Sequence, residues 1–121
     1  MEATERVFVG QTDVADWEHD DETGGLVHML REDAAVHAGL WKPGQMVGKP
    51  FEVVLQAHES VIVLTGSGRL EVDGQAKVEL EPGVILSLPA GAHTRWVVDE
   101  EFSEFWVYSW PSSAGDASTS T

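Results

Sequence analysis

Glu59 is the residue whose type and place most suggest chemistry. It comes just ahead of the apolar run Val61–Leu64 and so opens an expected strand. A carboxyl facing an apolar cavity resists ionisation, and a raised pKa suits a general acid or base. The same residue has a structural reading, as a buried carboxylate held by backbone amides or by Arg95, Arg69 or Lys42. His58 and His93 are candidate partners for it. His37 shares strand parity with Trp41 and is a reserve acid–base group. His28 falls on an expected strand, where a lone histidine usually packs or is solvated, and His19 lies in an acidic loop and is expected to be inert. The chain has no cysteine and no nucleophile elbow, and no glycine-rich turn leads into a helix to cradle phosphate.

The elements that must position these groups are strands. From Glu59 to Trp96 apolar residues recur with period two, among them Val61, Val63, Leu70, Val72, Val78, Leu80, Ile85 and Leu88. Glycine-containing turns punctuate the run at Gly66–Gly68, Asp73–Gly74, Pro82–Gly83 and Pro89–Gly91. Asp-Gly between two alternating runs is a strong hairpin signal. Further strands are expected at Leu26–Leu30, Val36–Trp41, Phe51–Leu55 and Phe105–Trp110, and Val7–Val9 is expected as an edge strand, in this barrel or against a second subunit. Short strands at this spacing predict an all-β sandwich or small barrel, with no helix longer than a turn or two.

The motifs narrow the fold. Glu59, six residues and Gly66 resemble the second half of the first cupin motif, and Gly83, five residues and Pro89-Ala90-Gly91 resemble the start of the second. Ala38–Gly44, and Trp96 seven residues after Pro89, resemble the cupin subfamily that includes ureidoglycine aminohydrolase-like and ethanolamine-utilisation domains. The similarity runs over about residues 26 to 109. It implies a small double-stranded β-helix, the jelly-roll barrel of RmlC-like cupins, commonly a homodimer. It also implies that Glu59 faces the interior and that Trp41 and Trp96 stand on the inner side. The fold itself does not name a substrate.

Metal-dependent cupins carry two histidines one residue apart, three or four residues before this glutamate, and a third after the second-motif glycine. The corresponding positions here are Glu52, Val53, Val54 and Leu55, and then Thr94. No histidine occupies any of them, so neither a metal nor another cofactor is expected. His58 and His93 are one residue off, which on a regular strand turns them to the opposite face. A bulge at Gln56-Ala57 or Gly91-Ala92 would bring them inward.

A barrel of this size can hold one small ligand among alternating inward side chains. Trp41 and Trp96 are candidate walls, able to sandwich a flat or apolar ligand or to hold a cation. Thr94 is a third candidate contact. Trp106 and Tyr108 share a face of the last strand and point either to this pocket or to a second subunit.

The chain of 121 residues divides into an acidic arm (1–25), a barrel (26–110) and a small polar tail (111–121) expected to be disordered. In the arm, the acidic cluster between Asp13 and Glu22 lacks the spacing of a calcium loop and is expected to be solvated, with Trp17 covering a barrel edge. A net charge of −14 argues against nucleic acid and anionic membranes as partners. No apolar run is long enough to span a bilayer, and a cytoplasmic location is expected. The leading functional expectation is a metal-independent proton-transfer enzyme of isomerase, hydrolase, lyase or cyclase type, using Glu59 on a small metabolite. A non-catalytic metabolite-binding or sensor barrel is the alternative, and a metalloenzyme with displaced ligands the third. The resemblance points to small nitrogenous metabolites.

Overall fold

The computed structural model describes residues 7–110. Among these residues, ten strands form two antiparallel sheets. The larger contains β1 (Glu18–His19), β2 (Leu26–Glu32), β3 (Val36–Lys42), β10 (Ser103–Ser109), β5 (His58–Thr65) and β8 (Ile85–Leu88), in that spatial order. The smaller contains β4 (Phe51–Val54), β9 (His93–Val98), β6 (Gly68–Val72) and β7 (Ala76–Leu80). Successive strands thus cross repeatedly between two facing layers, which is the jelly-roll barrel. A 3₁₀ turn at Gly44–Met46 is the only helical element among the described residues. No helix among them is long and apolar enough to cross a membrane.

Period two governs the packing. From Leu55 to Val63 every odd-numbered residue is buried and every even-numbered one is exposed. The β6–β7 hairpin turns at Asp73-Gly74, both with positive φ (54° and 70°), as a type I′ turn requires. One part of the interior is solid: Val63, Leu70, Leu80, Val98 and Phe102 are each at most 1% exposed and lie away from the cavity described below. Elsewhere between the sheets a cavity opens.

Two expectations for the N-terminal arm need correction. Val7 and Val9 are 85% and 82% exposed and form no strand; the edge strand is Glu18–His19, paired with His19 opposite Leu26. An isolated three-residue apolar run has no inward face to match to β2. Nor is the acidic cluster wholly solvated, because its last residues fold over the mouth of the barrel. Trp17 is half-buried, donates its N–H to the Val14 carbonyl and packs between the His28 ring and the Lys42 ammonium. The last strand begins at Ser103, two residues before its expected start. The tail 111–121 lies outside the described residues.

Candidate active site

A cavity of about 210 Å³ opens between the sheets. Strand register arranges the inner face of the large sheet, part of which walls this cavity, in three rungs across β3, β10 and β5. The first rung is His37, Tyr108 and Glu59; the second is Gly39, Trp106 and Val61; the third is Trp41, Glu104 and Val63. Because side chains alternate across a strand, every second residue of each strand returns to this face. Gly39 leaves room for the indole of Trp106: a Cβ there would come within 3.2 Å of it and 2.4 Å of the His28 carbonyl oxygen.

The small sheet supplies the facing wall. Phe51 and Trp96 are register partners whose rings stack at 3° with centroids 6.3 Å apart, and Trp41 closes on Phe51 at 5.3 Å. Thr94 is not part of the lining. Its hydroxyl donates to the Val53 carbonyl at 2.7 Å and accepts from the Trp96 N–H at 2.9 Å, so it fixes the Trp96 ring from behind.

The turn at residues 20–25 forms the rim. Asp20 accepts from the Thr23 hydroxyl and the Glu22 amide, and both Asp20 and Thr23 accept the Trp41 indole N–H, at 3.1 and 2.9 Å. Gly25 lets this turn lie against the Trp41 ring; a Cβ at Gly25 would stand 2.5 Å from the ring and 2.7 Å from the Lys42 carbonyl oxygen. An acidic arm that looks like a solvated tail in the sequence thereby becomes a wall.

The electrostatics follow from what is missing. Asp20, Glu22, Glu32, Glu59 and Glu104 all line the cavity, and no lysine or arginine does. Arg69 pairs with Glu79 at 2.9 Å, Arg95 lies 3.9 Å from Glu52, and Lys42 sits over Trp17. The cation-held reading of Glu59 is therefore excluded, and no backbone amide donates to it among the described residues. Glu59 and Glu104 are each only 6% exposed. Glu104 Oε1 is the one buried side-chain polar atom without a hydrogen-bond partner among the described residues.

Burial, and then the nearby Glu22 charge, push the Glu59 carboxyl up to about 8. Burial, and then the Glu59 charge, hold the Glu104 carboxyl well above the usual range. Glu22 is raised by burial of its inner side and by Asp20, with the Tyr108 hydroxyl partly offsetting this. Tyr108 resists ionisation because it is buried and faces Glu59, Glu22, Glu104 and Asp20. Desolvation is the largest cause in all four, and the like charges add to it.

The sequence candidates therefore separate. Glu59, His37, Trp41, Trp96, Trp106 and Tyr108 line the cavity. His37 is also edge-to-face with Trp110 at 4.6 Å. His58 and His93 do not reach it. Both are exposed, His58 accepting the Ala90 amide through Nδ1 and His93 presenting its backbone amide to Asp73. Burial alternates unbroken through Gln56-Ala57 and Gly91-Ala92, so no bulge turns either histidine inward. The sequence reading missed Glu104. The signal was present, since Glu104 shares parity with Trp106 and Tyr108.

The donor set of a metal-dependent cupin does not fit this cavity. Thr94 and Val53 stand where imidazoles would be needed, and among the described residues no group of three or more metal-ligating side chains converges.

Two antiparallel sheets folded around one ligand-sized, aromatic-walled cavity define the cupin class of barrel. Solved structures agree. A cupin 2 conserved barrel protein from Salinispora arenicola is 22% identical, with a TM-score of 0.68, 93% of this chain and 96% of that one being covered. KdgF from Halomonas sp. is 19% identical with a TM-score of 0.64, over 88% and 96% of the two chains. The EutQ protein of Clostridium difficile is 18% identical with a TM-score of 0.61, over 75% of this chain and 66% of that one. No curated protein shows a matching sequence. The chain belongs to the EutQ-like cupin domain family, whose pattern matches residues 30–104.

Proposed function

We propose that the barrel binds a small metabolite and moves a proton on it without a resident metal, Glu59 and Glu104 acting as the acid–base pair. The observation that carries this reading is the presence of two buried carboxyls, unpaired with any cation, facing one cavity. Leaving such groups unpaired costs stability, and cavities where titration is displaced are where proton chemistry is commonly found. The two carboxyls enter from rungs four residues apart along β5, so they flank the space rather than share one position. Once Glu59 is ionised, above about pH 8 or when a bound ligand displaces its proton, it takes a proton as the still-protonated Glu104 delivers one, the coupling between them separating their affinities for it. Trp41, Trp96 and Trp106 orient the ligand by their ring faces, and His37 lies at the Glu59 rung. Isomerisation, lyase, hydrolase or cyclase chemistry uses this step.

The test is hydrogen–deuterium exchange at the ligand itself. Metabolites that bind are incubated with the protein in D2O and followed by mass spectrometry. Exchange or turnover that is lost in Glu59→Gln and in Glu104→Gln, measured at ligand concentrations high enough to saturate each variant, supports the proposal. Ligands that bind yet neither exchange nor react would leave a binding or sensor barrel in its place.

We further propose a homodimer built on the outer face of the large sheet. Ile62 and Ile85 are exposed there, 36% and 73%, beside the half-buried Phe105 and Val107. Replacing Ile85 by Glu is expected to yield a 13.2 kDa monomer by light scattering; a monomer before the substitution would contradict it.

A further inference from the structure

We infer that the ligand of this cavity is a small organic cation bearing N–H groups, a protonated amine, and that its binding expels a proton. This rests on the cavity being the ligand site and goes further by naming the chemical class. Five carboxyl-bearing residues face the space and no lysine or arginine does. A carboxylate or phosphate ligand would enter with nothing to neutralise it, against the charges of the rim. A cation meets both of its preferred partners. The ring faces of Trp41, Phe51, Trp96 and Trp106 attract positive charge, and the carboxyls complete its pairing.

Glu104 decides between kinds of cation. Its Oε1 is buried without a partner and needs a donor. A quaternary ammonium has none, whereas a primary ammonium carries three. The Asp20 carboxylate is already engaged by Trp41, Thr23 and Glu22 and serves to hold the rim. Glu22 and Glu32 are exposed, and they draw the cation toward the mouth. The nearest arginine to Glu32, Arg31, is occupied by Asp33 at 2.6 Å.

Proton release follows from the groups facing the pair. Glu59 looks toward Tyr108 and His37 on its own rung, toward Glu22 at the rim, and toward Glu104 two rungs away; Glu32 lies opposite His37 on β2. With no cation present, these surroundings keep Glu59 and Glu104 protonated near neutrality. An arriving ammonium reverses the sign of the local potential and makes an ionised carboxylate the favoured form. Up to about pH 8, affinity for the cation therefore rises with pH, by as much as about tenfold per pH unit for each proton expelled.

The experiment uses benzylammonium and propylammonium beside the alcohols and carboxylates of the same skeletons. Indole N–H resonances report occupancy, since Trp41, Trp96 and Trp106 line the cavity and Trp17 is packed outside it. Calorimetry at pH 6, 7 and 8, in buffers of different ionisation enthalpy, counts protons. The expected result is that the ammonium compounds shift the three cavity indoles and spare Trp17, bind more tightly as pH rises, release a proton, and lose at least about tenfold in affinity in Glu104→Gln or, should that variant misfold, in Glu59→Gln. An alcohol or carboxylate that binds as tightly as its amine overturns the inference and leaves the cavity as a ligand site. So does amine binding with no proton released. If none of the six compounds moves the cavity indoles, the inference and the binding reading fall together.

Discussion

Replacing Glu59 by Gln should make the protein more stable above neutrality and leave it little changed in mild acid. In the folded chain Glu59 keeps its proton to about pH 8, whereas an ordinary glutamate releases it near 4.5. Below 4.5 both folded and unfolded chains are protonated there, and the full stability is present. As pH rises from 4.5 to about 8 the unfolded chain gives up the proton and the folded chain does not, so the folded state loses ground. The slope is about 1.4 kcal/mol per pH unit. Between pH 5 and pH 8 that amounts to about 4 kcal/mol, a large share of the roughly 5–15 kcal/mol typical of a domain. Glutamine has the shape of the protonated acid and does not titrate, so the variant escapes the loss. Asp33 and Asp99, both with lowered values, are ionised in either state across this range and contribute no slope. Urea titrations at pH 5, 6, 7 and 8 provide the measurement. With an m value of about 2 kcal/mol/M, the variant's midpoint should lie about 2 M above the parent's at pH 8 and close to it at pH 5. Midpoints that run parallel over the whole range would refute the burial argument for Glu59.

Other outcomes follow from the geometry. Thr94→Val keeps the side-chain volume but leaves the Trp96 N–H without its acceptor and removes the side-chain bond to the Val53 carbonyl; it should cost about 1–3 kcal/mol in urea unfolding and shift the Trp96 indole resonance. Gly25→Ala forces a methyl group against the Trp41 ring and should cost about 1–3 kcal/mol, with changed fluorescence from Trp41. His58→Ala and His93→Ala, singly or together, should leave ligand affinity at the cavity within about twofold, because both side chains lie on outer faces; a larger loss, measured by calorimetry, would place an imidazole in the site.

Much of the barrel was legible because its signals are local. Alternation along β5 and β9 is a property of each strand alone, and it correctly separates Glu59 from His58 and Thr94 from His93. The Asp73-Gly74 turn needs only two residues with positive φ, and two suitable residues stand there. Parity also placed Trp106 and Tyr108 on one face, but which face was undetermined until β10 took its place between β3 and β5. The same pairing turned Glu104 inward. In the sequence it is one more acid beside the turn at Asp99–Glu101, and only the β3 and β5 neighbours on either side make it a buried one.

The sequence by itself determined the strands, their inward residues and the absence of the usual imidazole set, because these depend on residue type and near-neighbour spacing. Tertiary structure decided which inward residues border empty space and which border packed side chains. Val63 and Glu59 have the same parity on one strand, yet one lies in the solid part of the core and the other faces the cavity. It also decided that Asp20, Glu22 and Thr23 belong to the site, since two hydrogen bonds to the Trp41 indole, across 21 and 18 residues, fold the acidic arm onto the rim. The physical reason is that a cavity's charge and depth are set by contacts distant in the chain, and no periodicity records them.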